Sequence, residues 1–285
     1  MFEDCKIVNS FSKGEHIIIY PGNCLNLLRQ IPDNNIQLIV TSPPYNINKE
    51  YESQLIIGDY LKQQKEIIGE CVRILSPRGS LCWQVGNYVK KGYIVPLDLI
   101  LYPIFVQSGL IMRNRIIWHF EHGLHCKNRF SGRYETVLWF TKTDDYIFNL
   151  DPVRIPQKYP GKKYYKGPKS GQYSCNPLGK NPGDVWDIPN VKNNHVEKTD
   201  HPCQFPVELI ERLILSMTNR DDWVLDPFLG SGTSIIAALR QGRRGIGAEI
   251  IPQYINLIYF RIKQYMTGSL LTRNMNTPIY NPDKK

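Results

Sequence analysis

No Cys-x-x-Cys pair occurs in the sequence, and its seven cysteines are odd in number. A disulfide framework is therefore not expected, and the cysteines read as free thiols of a reducing compartment. The nearest approach to a metal-ligand cluster is "HGLHC", His122 to Cys126, which lacks a second ligand pair elsewhere, so no metal is expected. No hydrophobic run approaches the length needed to span a bilayer. The opening "MFEDCKIVNS" carries acidic charge where a secretory signal would carry an apolar core. A cytoplasmic protein with no membrane partner is the expectation.

Over 285 residues, 42% hydrophobic and 21% charged content suits a soluble globular enzyme with a substantial core. A net charge of +9 leans towards a polyanionic partner. Much of that excess falls in residues 150–195, rich in Pro, Gly, Lys and Tyr, where Lys158, Lys162, Lys163, Lys166 and Lys169 are interleaved with tyrosines that include Tyr164 and Tyr165. Cations beside flat aromatic faces suit a nucleic-acid surface; a solvated loop is the plainer reading.

Elsewhere strand-like and helix-like segments alternate. "HIIIY", "IQLIV" and "SLCWQVG" read as strands, "CLNLLRQI" as a short helix and "PLDLILYPIFVQSG" as a helix ended by Gly109. "YLKQQKEIIGECVRIL" places Leu61, Ile68, Val72 and Leu75 on one helical face, followed by a turn at "SPRG". From Arg113 to Leu150 the pattern is β, with strands expected at "RNRIIWHF", "ETVLWFTK" and "YIFNL". Alternation then resumes: "PVELIERLILSMT" is helical with Leu209, Leu213 and Met217 in line, "WVLDPF" a strand, "TSIIAALRQG" a helix, "RGIGAEI" a strand and "YINLIYFRIKQYM" a closing helix. The pattern predicts an α/β fold with a mostly parallel twisted sheet and an antiparallel edge hairpin.

Two stretches carry chemistry. In "TSPPYN", Thr41 to Asn46, two prolines stiffen the end of a strand and offer no backbone N–H, leaving carbonyls free to accept hydrogen bonds. In "VLDPFLGSGTS", a strand runs through Asp226 into Gly230 and Gly232 and then a helix, so the backbone can approach a ligand closely. No P-loop lysine follows, and Ile235 stands where a dinucleotide fold has its third glycine. A nucleoside without a polyphosphate fits better, with Glu249 at the next strand end placed to accept from a ribose diol.

Together these stretches resemble the β-type amino-methylating DNA methyltransferases, the cytosine-N4 and adenine-N6 modification methylases. "RYETVLWFTK", "NPGDVWDIP" and "HPCQFPVELIERLI" also resemble family segments in the expected, circularly permuted order. The resemblance implies one Rossmann-like methyltransferase domain over residues 1–285: a catalytic half (1–149), a target-recognition segment (150–195) and a cofactor half (196–285). It implies S-adenosyl-L-methionine as cofactor, held by Asp226, Pro227, Phe228, Gly230, Gly232, Thr233 and Glu249, with His201, Gln204 and Phe205 near its methionine end. Asn23, in "GNCLNLL", stands where the family usually has an aspartate beside the adenine. The implied partner is double-stranded DNA, met by the 158–169 lysines and tyrosines; a cognate restriction endonuclease and a monomer or homodimer are left open.

The catalytic residues implied are Ser42, Pro43, Pro44 and Tyr45. The Ser42 hydroxyl and Pro43 carbonyl would bind the hydrogens of a poorly nucleophilic amine, and Tyr45 would stack on an extruded base. A neutral serine heading the tetrapeptide favours cytosine-N4, with adenine-N6 the alternative. Remoter readings are an RNA or protein-glutamine methyltransferase and an inactive DNA-binding regulator.

Overall fold

The structure, a computed structural model, describes residues 6–46, 55–90, 92–123 and 125–277. In chain order it runs β1 (Ile7–Val8), β2 (Ile17–Pro21), α1 (Cys24–Leu28), β3 (Ile36–Thr41), α2 (Ile57–Ile74), β4 (Leu75–Val85), β5 (Asn87–Lys90), β6 (Tyr93–Pro96), α3 (Leu97–Gln107), β7 (Ile111–His119) and β8 (Tyr134–Thr141). It continues through β9 (Val185–Asp187), α4 (Val207–Met217), β10 (Trp223–Asp226), α5 (Thr233–Arg240), β11 (Arg244–Glu249) and α6 (Pro252–Met266).

Nine of the described strands form one sheet in the order β1-β2-β11-β10-β3-β4-β8-β7-β9. All neighbours pair in parallel except β8, which runs against both β4 and β7. The sheet is thus mostly parallel with one antiparallel hairpin, as the alternation predicted, and β9 adds an outer parallel strand. Strands of the two chain halves interleave, β10 and β11 lying between β2 and β3. Buried side chains of α1, α2 and α3 share one hydrophobic cluster, and those of α4, α5 and α6 share another, so the sheet is covered on both faces. This burial explains why all six residues of β3 are buried and why its sequence does not alternate.

The topology also places the two motifs. From β3 the chain crosses by α2 to β4 on one side, whereas from β10 it crosses by α5 to β11 on the other. Adjacent parallel strands β3 and β10 therefore straddle the point where the winding reverses, and a crevice opens there at their carboxyl ends. "TSPPYN" and "DPFLGSG" both emerge into it. Gly247 permits the neighbouring close packing: a Cβ there would lie 2.3 Å from the Asp226 carbonyl oxygen.

Several local expectations are corrected. The buried face of α2 is Tyr60, Gln64, Ile67, Ile68, Cys71 and Ile74; Leu61 and Val72 are only half-buried and Leu75 begins β4. The apolar stripe includes Cys71 and Tyr60, which an aliphatic count passes over. "SPRG" is not a separate turn but an irregularity inside β4, where the register with β3 jumps from Ile36↔Leu75 to Leu38↔Ser80. "YIFNL" forms no strand. Tyr146 and Phe148 instead pack on Trp139, with ring centroids at 5.6 and 5.4 Å, while Ile147 N donates to Arg78 O and Asn149 N to Ser216 O. The β5–β6 hairpin has no counterpart in the sequence reading.

Candidate active site

At the β3–β10 crevice lies a cavity of about 230 Å³. Ser42, Pro43, Pro44 and Tyr45 form part of its wall; Pro227, Phe228, Gly230 and Glu249 form another; His201, Gln204, Phe205 and Asn23 complete it. Asn23 also caps α1, its Oδ1 accepting from Leu25 N at 2.9 Å.

Three residues expected to touch a cofactor are placed behind this wall. Asp226 is fully buried, with Oδ1 accepting from Thr41 Oγ1 at 2.5 Å and Phe228 N at 3.0 Å, and Oδ2 from Ser234 Oγ at 2.6 Å. Its carboxylate ties the end of β3 to the glycine loop and so shapes the cavity from beneath. Gly232, at φ +74°, faces Ile258 and caps α5. Thr233 Oγ1 accepts from the buried guanidinium of Arg261 at 3.0 Å. A motif marks a strand-end turn without saying which of its side chains face outward.

The catalytic turn is polarised. Ser42 Oγ donates to Tyr45 Oη at 3.1 Å, and Tyr45 Oη donates to Glu135 Oε2 at 3.1 Å. With its proton committed to Tyr45, Ser42 retains its lone pairs as acceptors. Tyr60 Oη donates to the Pro44 carbonyl at 3.1 Å, whereas no described residue donates to that of Pro43. Asn46, at φ +59°, clamps Leu55 by two backbone hydrogen bonds, one accepted from Leu55 N at 2.6 Å and one donated to Leu55 O at 2.8 Å. Burial, then the Glu135 carboxylate, hold the Tyr45 phenol well above its ordinary pKa, so Tyr45 remains the donor. Burial also raises Glu135, against the hydrogen bonds from Gln84 and Tyr45 that favour its charged form.

Glu135, Gln84 and Tyr60 were not identified from the sequence. The available signal was an acid heading the apolar strand "ETVLWF", where a buried charge requires dedicated donors. Gln64 and Tyr254 likewise join the cavity wall without having been foreseen.

On the cofactor side, Glu249 Oε2 accepts from Gly230 N at 2.8 Å, while Oε1 accepts from Ile250 N and Ile251 N at 2.9 Å each. Burial raises its pKa and these amides oppose the rise. Gly230 has φ +52°, and a Cβ there would stand 2.9 Å from His201 Nε2. The His201 ring meets Tyr254 edge-on at 4.5 Å, and burial pushes its pKa down to about 4.

A histidine depressed from 6.5 to about 4 binds fewer protons folded than unfolded between those values, so stability falls as pH drops through that window. The loss attributable to it is at most about 3 kcal/mol. Asp226, raised by burial to about 7, has the opposite slope, so the readout is a difference. Chemical denaturation of wild type and His201→Asn at pH 7 and pH 4.5 is expected to show a smaller acid loss in the variant; equal losses would contradict the assignment.

The basic segment is elsewhere. Lys158, Lys162, Lys163, Lys166 and Lys169 contribute nothing to the cavity wall, and Tyr164 and Tyr165 are exposed. Its lysines lie over its own tyrosine rings: Lys163 over Tyr173 at 5.2 Å, Lys158 over Tyr159 at 5.7 Å, Lys166 over Tyr165 and Lys169 over Tyr164 at 6.0 Å.

A switch-point crevice bearing a glycine loop, an acid at the next strand end and a rack of fixed acceptors defines a nucleoside-dependent group-transfer site. Residues 36–260 match the family model described as DNA methylase. The chain is 52% identical over 254 residues to the type II methyltransferase M.BglII of Bacillus subtilis, covering 89% of this chain and 71% of that protein. It is 33% identical over 251 residues to the DNA adenine methyltransferase YhdJ of Escherichia coli K12, covering 84% and 80%. Among solved structures, the DNA modification methylase TTHA0409 of Thermus thermophilus, complexed with S-adenosyl-L-methionine, superposes with a TM-score of 0.62 at 27% identity, covering 90% and 99%. The chain belongs to the DNA methylase family whose members modify adenine-N6 or cytosine-N4.

Proposed function

We propose that this protein transfers a methyl group from S-adenosyl-L-methionine to the exocyclic N4 of a cytosine extruded from double-stranded DNA. The observation that carries the reading is that one cavity joins the polarised Ser42–Tyr45 turn to the Gly230–Glu249 loop. The lining suits the cofactor: Glu249 Oε2, with one amide donor, keeps acceptor capacity for a diol, Phe228 offers an apolar face, and the missing Cβ at Gly230 keeps that wall clear. When bound, S-adenosyl-L-methionine supplies a methyl group already activated on a cationic sulfur.

The chain's task is then positioning. Ser42 Oγ and the Pro43 carbonyl accept the two amine hydrogens, draw the nitrogen out of conjugation and stabilise the positive charge that develops on it. Asp226 fixes the two loops relative to one another through Thr41 and Phe228. Fixed geometry of this kind accounts for roughly 7–11 kcal/mol in ideal cases, and no cysteine or covalent intermediate is needed.

The choice of base rests on Ser42: a neutral acceptor heading the tetrapeptide is the cytosine-N4 form. Adenine-N6 is the second reading, favoured by the likeness to the E. coli adenine enzyme. Nucleoside digestion and mass spectrometry of DNA treated with the purified protein separates them. N4-methylcytosine is expected, and N6-methyladenine alone would overturn the choice of base while leaving the methyl-transfer reading intact. An RNA or protein-glutamine substrate has no support among these relatives, and the intact acceptor turn speaks against an inactive regulator.

In this reading residues 150–195 form the target-recognition part, with the 158–169 lysines on DNA phosphates. A cytoplasmic location and a cognate endonuclease belong to the same proposal. No helix among the described residues is long and apolar enough to cross a membrane.

A further inference from the structure

A second cavity, of about 470 Å³, opens between the loop after β7 and the segment after β9. His119, the last residue of β7, pairs in register with Tyr134, next to the Trp118–Glu135 pair. The cavity therefore begins one strand position beyond the carboxylate that holds Tyr45. His119 Nδ1 lies 2.5 Å from Asp187 Oδ1, Ile188 N donates to His119 O at 3.1 Å, and Asn190 Nδ2 donates to His122 O at 2.8 Å. These bonds hold the two segments together as a formed cleft.

Its chemistry differs from that of the lysine segment. Lys192 and Glu121 offset one another, and most of the remaining polar lining is amide and imidazole, with Phe120 as a flat apolar face. Asn190 Oδ1 and His195 Nε2 are buried without a hydrogen-bond partner. Buried polar atoms are nearly always satisfied, and exceptions call for a reason such as a ligand. The exposed side chains of Asn193 and Asn194 make no hydrogen bond to any described residue. Several cations would be needed to grip phosphates; paired neutral donors and acceptors match the edges of bases, and an amide meets adenine N6 and N7 together.

We infer that this second cavity reads the base edges flanking the methylated base, with Asn193 and Asn194 supplying sequence discrimination and the 158–169 lysines supplying phosphate contact. The inference rests on the proposed DNA methylation. It assigns specificity to a cleft shared with the loop after β7, rather than to the basic segment.

The test compares wild type, Asn193→Ala, Asn194→Ala and Lys162→Ala/Lys163→Ala. Modified-base sequencing of DNA from an expressing host gives each recognition site. Methylation of duplexes bearing single substitutions in the wild-type site gives discrimination at each position. At least one asparagine variant is expected to lose about tenfold or more of its discrimination at one position, with calorimetric affinity for S-adenosyl-L-methionine unchanged. The lysine variant is expected to keep the site and lose salt dependence, its slope falling by about one per lost phosphate contact. Unchanged discrimination in both asparagine variants would overturn the inference, as would a changed site in the lysine variant alone. Absence of any methylated base with the wild-type protein would instead refute the proposed function.

Discussion

Gly230→Val is expected to abolish measurable binding of S-adenosyl-L-methionine. Gly230 sits at φ +52°, a left-handed conformation that costs an L-residue about 1–2 kcal/mol and a β-branched one more. The first added carbon would meet His201 Nε2 at 2.9 Å and Cε1 at 3.1 Å, with the remaining methyls added beyond it. His201 is buried against Tyr254 and has little room to withdraw. Moving the loop instead would break the Gly230 N to Glu249 bond that orients the carboxylate. A combined loss of about 3 kcal/mol or more corresponds to over about a hundredfold in affinity. Calorimetry measures it, with thermal unfolding as a check that the fold persists. Gly230→Ala is expected to fall between; wild-type affinity in the valine variant would remove Gly230 from the cofactor site.

The second large effect concerns Tyr45. Tyr45→Ala removes the ring expected to stack on the base and leaves the Glu135 carboxylate with Gln84 as its remaining side-chain donor. It also releases the Ser42 hydroxyl, whose proton is otherwise committed to Tyr45. Single-turnover methylation is expected to slow by about a hundredfold or more, the scale on which small misplacements of reacting groups act, with cofactor affinity within a few-fold of wild type. Tyr45→Phe separates the contributions. It keeps the ring and loses only the Ser42–Tyr45–Glu135 relay, so an intermediate rate is expected. Near wild-type turnover in Tyr45→Ala would show that the turn does not hold the base.

What could be read before the fold was known follows from local chemistry. Prolines, glycines and apolar runs announce strand-end turns, and the order of "TSPPYN", the basic segment and "DPFLGSG" carried the family likeness. Whether a side chain points at a ligand or beneath it depends on neighbours distant in sequence. Asp226 is turned inward by Thr41 and Ser234, which lie 185 and 8 residues away. Glu135 lies 90 residues from Tyr45 and meets it only because β8 pairs with β4, bringing Glu135 near Gln84 as well. "YIFNL" has the composition of a strand, yet its aromatics are used to cover Trp139. The asparagines of the second cavity follow β9, a three-residue strand too short to show a period.

The central claim is direct transfer from a cofactor in one half of the crevice to a base in the other. Its most direct test is incubation of the purified protein with S-adenosyl-L-methionine labelled on the methyl group, together with duplex DNA of mixed sequence, followed by separation of DNA from protein. Label is expected in the DNA alone, on an exocyclic amine, and absent when Ser42→Ala/Tyr45→Ala replaces the wild type. Label retained on the protein, label found only in added RNA, or equal transfer by the double variant would contradict the account.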